Sequence, residues 1–272
     1  MKVSNTERFL NYAILIVFSL IVLAPMLTIL VSAFAPPSAS AAREGGPFHP
    51  GNFIDAWQEG RFGQYMTTSV IVAVIVVTLT VVLSVLSGYA FGTMSFRGEQ
   101  VLFYVFLLGI MVPAEAIVVP LFFDLRSLGL TDTIWAVALP QVAQSVAFGT
   151  YWMRTYFKGV NRSVLDAARM DGASPKRILW SILVPMGRPA ITTMVVLVFM
   201  WTWNEFLIPL VMSPTGAVRT APLGLAFFQG QYTQGTALLA AGAVLVALPV
   251  VVLYFILQRH FIKGMLEGAV KE

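Results

Sequence analysis

The sequence predicts an all-α polytopic membrane protein, with six transmembrane helices and both termini cytoplasmic, in a single membrane domain over residues 1–272. Three observations carry this expectation. Of the 272 residues, 58% are hydrophobic and 11% charged, and the mean hydropathy is +0.81. A soluble chain averages about 45–50% apolar and about 25% charged residues, so a water-facing surface cannot be built here. The same figures exclude disorder, coiled coil and collagen-like structure. Second, no charge falls between Arg8 and Arg43, Arg61 and Arg97, Asp132 and Arg154, or Arg219 and Arg259, gaps of 34, 35, 21 and 39 residues. Each suffices for the roughly 20 residues that cross a bilayer core. Third, with both ends inside, 13 of the 17 lysines and arginines fall on the cytoplasmic side, and only Arg43, Arg61, Arg126 and Arg219 lie opposite. Positive charge favours the cytoplasm.

The elements follow in order. The first span is Leu10–Phe34. Lys2 and Arg8, this apolar run and Ser38-Ala39-Ser40-Ala41 have the layout of a cleavable leader. The run exceeds the 7–15 residues of a leader's apolar region, so it is read as a retained span. Ala35–Gly51, rich in Pro and Gly, is an irregular external loop. The second span, Thr68–Met94, is dense in β-branched residues but lacks the alternating polar positions of a barrel strand. Its inner end carries Gly88 and Gly92 in a G-x-x-x-G spacing, which close helix packing explains. The third span, Val101–Phe123, contains Glu115; the fourth is Thr133–Tyr156; the fifth, Ala190–Met212, contains Glu205; the sixth is Ala237–Leu257. Interior prolines do not argue strongly against helix here, because neighbouring helices satisfy freed backbone groups. Ser213–Thr236 is external, with some helix around Leu223–Phe228.

Between the fourth and fifth spans lies a cytoplasmic loop, Phe157–Pro189, far longer than a helix turn requires. Ser163 is expected to cap a helix over Val164–Met170, with Asp166 completing a capping box. Asp171-Gly172 ends it, glycine supplying a left-handed residue. Ser174 caps a second helix with Pro175 at its first position, running to about Val184 and stopping at Pro185. Val164, Leu165, Ala168 and Met170 need cover, either from a cytoplasmic partner or from the membrane surface.

No catalytic or metal-binding constellation is visible. There is no cysteine, so disulfides and thiol chemistry are excluded. His49 and His260 fall in an outer loop and the tail, and no Gly-rich loop with the spacing of a phosphate cradle is present. No cofactor is expected on this chain. What remains is polar side chains inside spans, which are costly in lipid and face a cavity or another helix. Gln141, Gln144 and Ser145 share one helical face near the middle of the fourth span. Asn204, Glu205 and Glu115 lie in the outer halves of theirs. All six are candidates for lining a solute path. The alternatives are helix-joining hydrogen bonds for the amides, an outer-interface anchor for Asn204 and Glu205, and a lipid-interface position for Glu115.

The loop segment Asp166–Pro185, DAARMDGASPKRILWSILVP, resembles the "EAA" signature of ATP-binding-cassette importer permeases: E-A-A, three residues, G, nine residues, I, one residue, L-P. Ala167, Ala168, Gly172, Ile182 and Pro185 fall in register; Asp166 stands for Glu and Val184 for Leu. Further blocks resemble the carbohydrate-uptake branch typified by the smaller permease of maltose importers. Trp201–Pro209 is similar to its W-N-[DE]-F-x-x-P block and Leu128–Thr133 to its L-G-L-x-D-T turn. Thr220–Leu225 is similar to its T-x-P-L-G-L segment, and Gln258–Gly264 with Gly268–Lys271 to its tail. The resemblance implies the type I importer permease fold in a bacterial or archaeal cytoplasmic membrane. It also implies a second permease subunit that is a different chain, two ATPase subunits that bind the ATP, and an extracytoplasmic solute-binding protein. The solute would be a sugar or related polyhydroxy compound. Asp166, Ala167, Ala168, Asp171 and Gly172 would dock on an ATPase, within the signature that ends with Ile182 and Pro185. The net charge of +4 then reads as cytoplasmic anchoring, with no nucleic-acid partner. An ion-coupled secondary transporter is the alternative, with Glu115 or Glu205 as coupling acid. It leaves the long basic loop unexplained, and no repeat relates the halves.

Overall fold

The computed structural model describes residues 4–36, 48–231 and 236–269. Lys2, the leader-like Ser38–Ala41, Arg43 and the tail residues Val270 and Lys271 lie outside the described residues. Among the described residues all regular structure is helical. The helices are α1 (Asn5–Ala33), α2 (Asn52–Glu59), α3 (Phe62–Thr93), α4 (Glu99–Met111), α5 (Ala114–Ser127), α6 (Ile134–Gly159) and α7 (Arg162–Met170). They continue with α8 (Pro175–Met186), α9 (Arg188–Asn204), α10 (Leu207–Met212), α11 (Ala221–Gln231) and α12 (Thr236–Ala269). The helix expected around Leu223–Phe228 is α11.

Among the described residues three helices are individually long and apolar enough to cross a bilayer: α1, α3 and α12 over Thr236–Gln258. The 26 residues of α6 rise about 39 Å at 1.5 Å each, also sufficient length, although the helix carries a buried polar face. The third and fifth expected spans are not the continuous helices that the sequence suggested. Val101–Phe123 is split between α4 and α5, whose axes meet at 99°. Pro113 disfavours helical backbone at the residue before it, and Val112 is extended (φ −78°, ψ 117°). Ala190–Met212 is split between α9 and α10 at an extended Glu205 (φ −66°, ψ 125°). A helix continuous through Pro209 would set its ring against the Glu205 carbonyl, so the chain breaks there and restarts with Pro209 in the first turn of α10.

Two compact units are present. The first comprises residues 1–64 with 224–248. Its long element, α1, is capped by Ser4 and Glu7, the Ser4 amide donating to Glu7 Oε2 at 2.9 Å. No residue in the apolar stretch of α1 is buried, which suits contact with lipid. Its C-terminal carbonyls are satisfied by Asn52, whose Nδ2 donates to the Ala33 and Ala35 oxygens at 2.9 and 2.8 Å. Phe34 stacks on Phe48 at 4.7 Å beside this cap, and Ala56, Phe62 and Ala241 are fully buried.

The second unit comprises residues 65–223 with 249–272. Helix α6 runs through its core, burying Val137, Ala138, Met153 and Phe157 in one cluster with Val72 and Val76 of α3, Met194 and Val198 of α9, and Ile208 and Met212 of α10. The paired glycines of α3 meet α6 backbone to backbone. A Cβ at Gly88 would sit 2.9 Å from the Arg154 amide nitrogen, and one at Gly92 would sit 2.7 Å from Phe157 Cβ. The expected close packing is therefore the reason for the G-x-x-x-G spacing. Arg154 is held without a carboxylate: its guanidinium lies 3.8 Å over the Phe103 ring and its Nε donates to the Phe91 carbonyl at 3.2 Å.

The L-G-L-x-D-T turn before α6 is built on two left-handed residues, Gly129 (φ 68°) and Asp132 (φ 60°). Asp132 Oδ1 accepts from Thr215 Oγ1 at 2.6 Å, Ser213 Oγ at 3.0 Å and the Thr215 amide at 3.1 Å, tying the turn to the loop after α10. Thr133 then caps α6 by accepting from the Ala136 amide at 3.2 Å. The Thr215 hydroxyl, followed by the Ser213 hydroxyl and the Thr215 amide, outweighs partial desolvation and holds the Asp132 carboxyl below its ordinary value. A lowered folded-state value means that this clamp contributes its full stability above the unfolded aspartate value of about 3.9 and loses it as pH falls further. Proteolysis of the 213–219 loop in right-side-out vesicles should accelerate below about pH 4. Asp132→Asn, which keeps an accepting oxygen and tolerance for left-handed backbone but cannot ionise, should make cleavage nearly pH-independent. Equal acid sensitivity in both proteins would remove the carboxylate from the account.

Candidate functional site

Two places gather the sequence-derived candidates. The first is the loop after α6. Helix α7 begins two residues earlier than expected: its cap is Asn161, whose Oδ1 accepts from the Ser163 amide at 3.0 Å, and not Ser163. Asn161 is extended and follows α6 after Val160 alone, and asparagine caps as well as serine, so the first suitable side chain takes the position. Asp166 then completes no capping box. It pairs with Arg169 at 3.3 Å, where the two side chains are 67% and 58% exposed, so the pair contributes little stability.

The end of α7 matches the expected stop in detail. Gly172 is left-handed (φ 72°), its amide donates to the Arg169 oxygen at 3.0 Å, and the Ala173 amide donates to the Ala168 oxygen at 3.0 Å. Those two bonds form a Schellman motif, which satisfies carbonyls that the helix end would leave bare. Of the face expected to need cover, Leu165 and Ala168 are buried in the chain's own core, Val164 is half-buried, and Met170 is 88% exposed. Asp166, Ala167, Asp171 and Gly172 all face outward. The structure thus presents four of the five docking candidates together on one exposed helix end and buries the fifth, Ala168, as their support.

Helix α8 has the expected Ser174 cap and Pro175 at its first position, the Arg177 amide donating to Ser174 Oγ at 3.4 Å. It does not stop at Pro185. Ile178–Leu183 widens into a π-turn and the helix continues to Met186. The wider turn accommodates a proline whose ring would strike the carbonyl four residues before it. Ile182 is half-buried against the core and Pro185 is exposed. Three aromatic tethers that sequence reasoning missed hold the loop to its frame. Tyr89 hydroxyl donates to the Pro175 oxygen at 3.4 Å, Tyr156 hydroxyl to the Leu183 oxygen at 3.3 Å, and Trp152 Nε1 to the Ala190 oxygen at 2.9 Å. An aromatic at the inner end of a helix is the only sequence signal for them, and it does not name the acceptor. Beside α7 a cavity of about 620 Å³ is lined by Glu99, Lys158, Arg162, Asp166 and Arg169, so part of the basic cluster surrounds this loop.

The second place is a cavity of about 260 Å³ where both broken helices interrupt. Gly109, Ile110, Val112 and Ala114 line it from the α4–α5 break, Trp201, Thr202 and Glu205 from the α9–α10 break, and Gln141, Gln144, Ser145 and Phe148 from α6. Phe148 and Trp201 meet edge to face at 4.8 Å and form an aromatic wall. Gln141 is 4% exposed; its Nε2 donates to the Val137 oxygen at 2.9 Å, while its Oε1 accepts nothing. Thr202 is 5% exposed and its Oγ1 is likewise without a partner. Glu205 Oε1 accepts from the Ile208 amide at 3.0 Å, which caps the restarted helix α10.

Four of the six solute-path candidates therefore line one cavity: Gln141, Gln144, Ser145 and Glu205. The other two do not. Asn204 is exposed and turns its Nδ2 back to the Met200 oxygen at 2.8 Å. Glu115 is exposed in the first turn of α5, where the helix dipole favours a carboxylate. Thr202 was not foreseen, although it precedes Glu205 by one helical turn.

A family model described as "binding-protein-dependent transport system inner membrane component" matches residues 80–267. The arabinooligosaccharides transport system permease protein of Halalkalibacterium halodurans is 32% identical over 98% of this chain and 99% of its own length. The trehalose transport system permease protein of Mycobacterium tuberculosis is 32% identical over 81% of each. Among solved structures, a chain of a bacterial ABC transporter involved in the import of the acidic polysaccharide alginate superposes with a TM-score of 0.77. It is 23% identical, over 96% of this chain and 99% of that one, so it speaks to the fold alone.

Proposed function

The chain belongs to the inner-membrane component family of binding-protein-dependent transport systems, and on that premise we propose that it is one permease half of an importer for a saccharide or related polyhydroxy solute. The observation that carries the proposal is the exposed end of α7. A fixed Schellman turn holds Asp166, Ala167, Asp171 and Gly172 outward, in the register of the signature by which importer permeases engage ATPase subunits. The sugar class is supported by relatives named for arabinooligosaccharides and trehalose.

The proposed arrangement has six spans with both ends inside: α1, α3, the α4–α5 pair, α6, the α9–α10 pair and α12. A different permease chain completes the pathway in a bacterial cytoplasmic membrane, two ATPase subunits dock beneath, and a binding protein delivers solute from outside. The cavity at the helix breaks is this chain's contribution to the solute path. ATP is bound by the partners, and this chain carries the conformational change.

In proteoliposomes holding the whole assembly, uptake of labelled saccharide should require ATP inside and binding protein outside, and should survive collapse of ion gradients. Uptake driven by a proton gradient without ATP would instead establish the ion-coupled alternative.

A further inference from the structure

We propose that the cavity at the two helix breaks selects uncharged, hydroxyl-donating solute units and refuses anionic ones such as uronates, with Gln141 Oε1 and Thr202 Oγ1 as the solute's acceptors. The inference rests on the permease reading above and adds a charge class to it. Two buried polar atoms without partners, in one cavity, are unusual in a folded protein, where nearly all such atoms are satisfied. Each is an oxygen able to accept, and the Gln141 amide that would donate is already committed to Val137. Both oxygens are shut off from the cavity as it stands, so a solute hydroxyl, the complementary group, would reach them once the two side chains turn toward it.

The electrostatics agree. The lining holds no lysine, arginine or histidine, and its single ionisable side chain is the carboxylate of Glu205. Gly109 and Ile110 bring the C-terminal, electronegative end of α4 to the same wall. The positive ends of the two restarted helices do not compensate. That of α10 is capped by Glu205, and that of α5 carries Glu115 in its first turn. On this chain's wall a solute carboxylate would meet an anion and no counter-charge, whereas a neutral ring lies against Phe148 and Trp201 and donates to the two oxygens.

The chain has no cysteine, so Ala114→Cys places a single thiol on it, at the cavity wall and on a different helix from either proposed acceptor. The assembled importer would be exposed to a maleimide, and labelling of this chain read by mass spectrometry. The probes are maltotriose, trehalose, arabinotriose and xylotriose, whichever the importer takes up, against galacturonate trimer. The neutral substrate should slow labelling at least threefold and the trimer should not. Gln141→Leu or Thr202→Val in the Ala114→Cys background should abolish that protection. Glu205→Gln, which retains an oxygen to cap Ile208, should let the galacturonate trimer protect. Equal protection by both solutes in the parent, or protection unchanged by the Gln141 and Thr202 replacements, would overturn the charge assignment and leave the permease reading standing. Absence of ATP-driven uptake of every saccharide would overturn the permease reading itself.

Discussion

Gly172→Val should lower ATP-driven uptake at least tenfold while the amount of permease in the membrane stays unchanged. Gly172 sits at φ 72° with open space around the position a Cβ would take, so the cost of a side chain there is purely one of backbone conformation. A left-handed L-residue costs roughly 1–2 kcal/mol, and a β-branched one lies at the upper end. That is too little to unfold a membrane domain, but it competes directly with the two bonds, Gly172 to Arg169 and Ala173 to Ala168, that define the end of α7. A frayed end would swing Asp166 and Asp171 out of the geometry proposed to meet the ATPase, so hydrolysis would run without transport. Gly172→Asn, which tolerates the left-handed region, should retain most of the uptake. The check is solute uptake and ATP hydrolysis measured on the same vesicles. Wild-type uptake by the valine variant would show that the turn is dispensable for coupling.

Gly88→Val should act at the other extreme and remove the folded permease. An added Cβ would stand 2.5 Å from Met153 Cβ and 2.9 Å from the Arg154 nitrogen, and the latter is backbone, which cannot rotate away. Helices α3 and α6 would have to separate, undoing the packing of Met153 and Phe157 and the placement of Arg154 against Phe91. Overpacking at a site able to relax costs about 1–3 kcal/mol, and a contact with helix backbone lies beyond that range. Little protein should reach the membrane, and what does should lose its compact behaviour on size exclusion at lower temperature than the parent. Gly159→Val, with no atom within 4 Å of its Cβ, is the control that should be tolerated in packing terms.

These two glycines also show what the sequence carried and what it did not. The left-handed Gly172 was legible because a helix stop is local: a few residues and their caps decide it. The contact at Gly88 was legible as a type of packing, but its partner was not, since a small-residue pair names no opposite surface. Charge gaps located the long apolar segments, yet they hid the breaks at Val112-Pro113 and Glu205-Phe206. Hydropathy counts apolar residues and is blind to the direction of the helix axis, and prolines in lipid-facing segments do not by themselves declare a bend. The role of Glu205 suffered for the same reason. As part of a continuous helix it was a solute-path candidate or an anchor at the outer interface, whereas at a break it has a restarted helix to cap. Gln141, Gln144 and Ser145 were found because they share a face of one uninterrupted helix. Thr202 lay on a segment whose facing depended on the unseen break. Asn161 displaced Ser163 as cap because two good capping residues stood two positions apart, and only the end of α6 decided between them.

The bare apolar flank of α1 bears on how the protein is made. This helix precedes the other described helices, begins with its own Ser4–Glu7 cap, and has no buried residue in its apolar stretch. It therefore has no need to wait in the insertion channel for a later segment before entering lipid. Helix α6 is in the opposite position, since Gln141, Ser145 and Thr150 are buried only once their neighbours have arrived. Membrane integration should thus be divided in time, with α1 entering lipid alone and α6 leaving the channel only once α9 and α10 have been made.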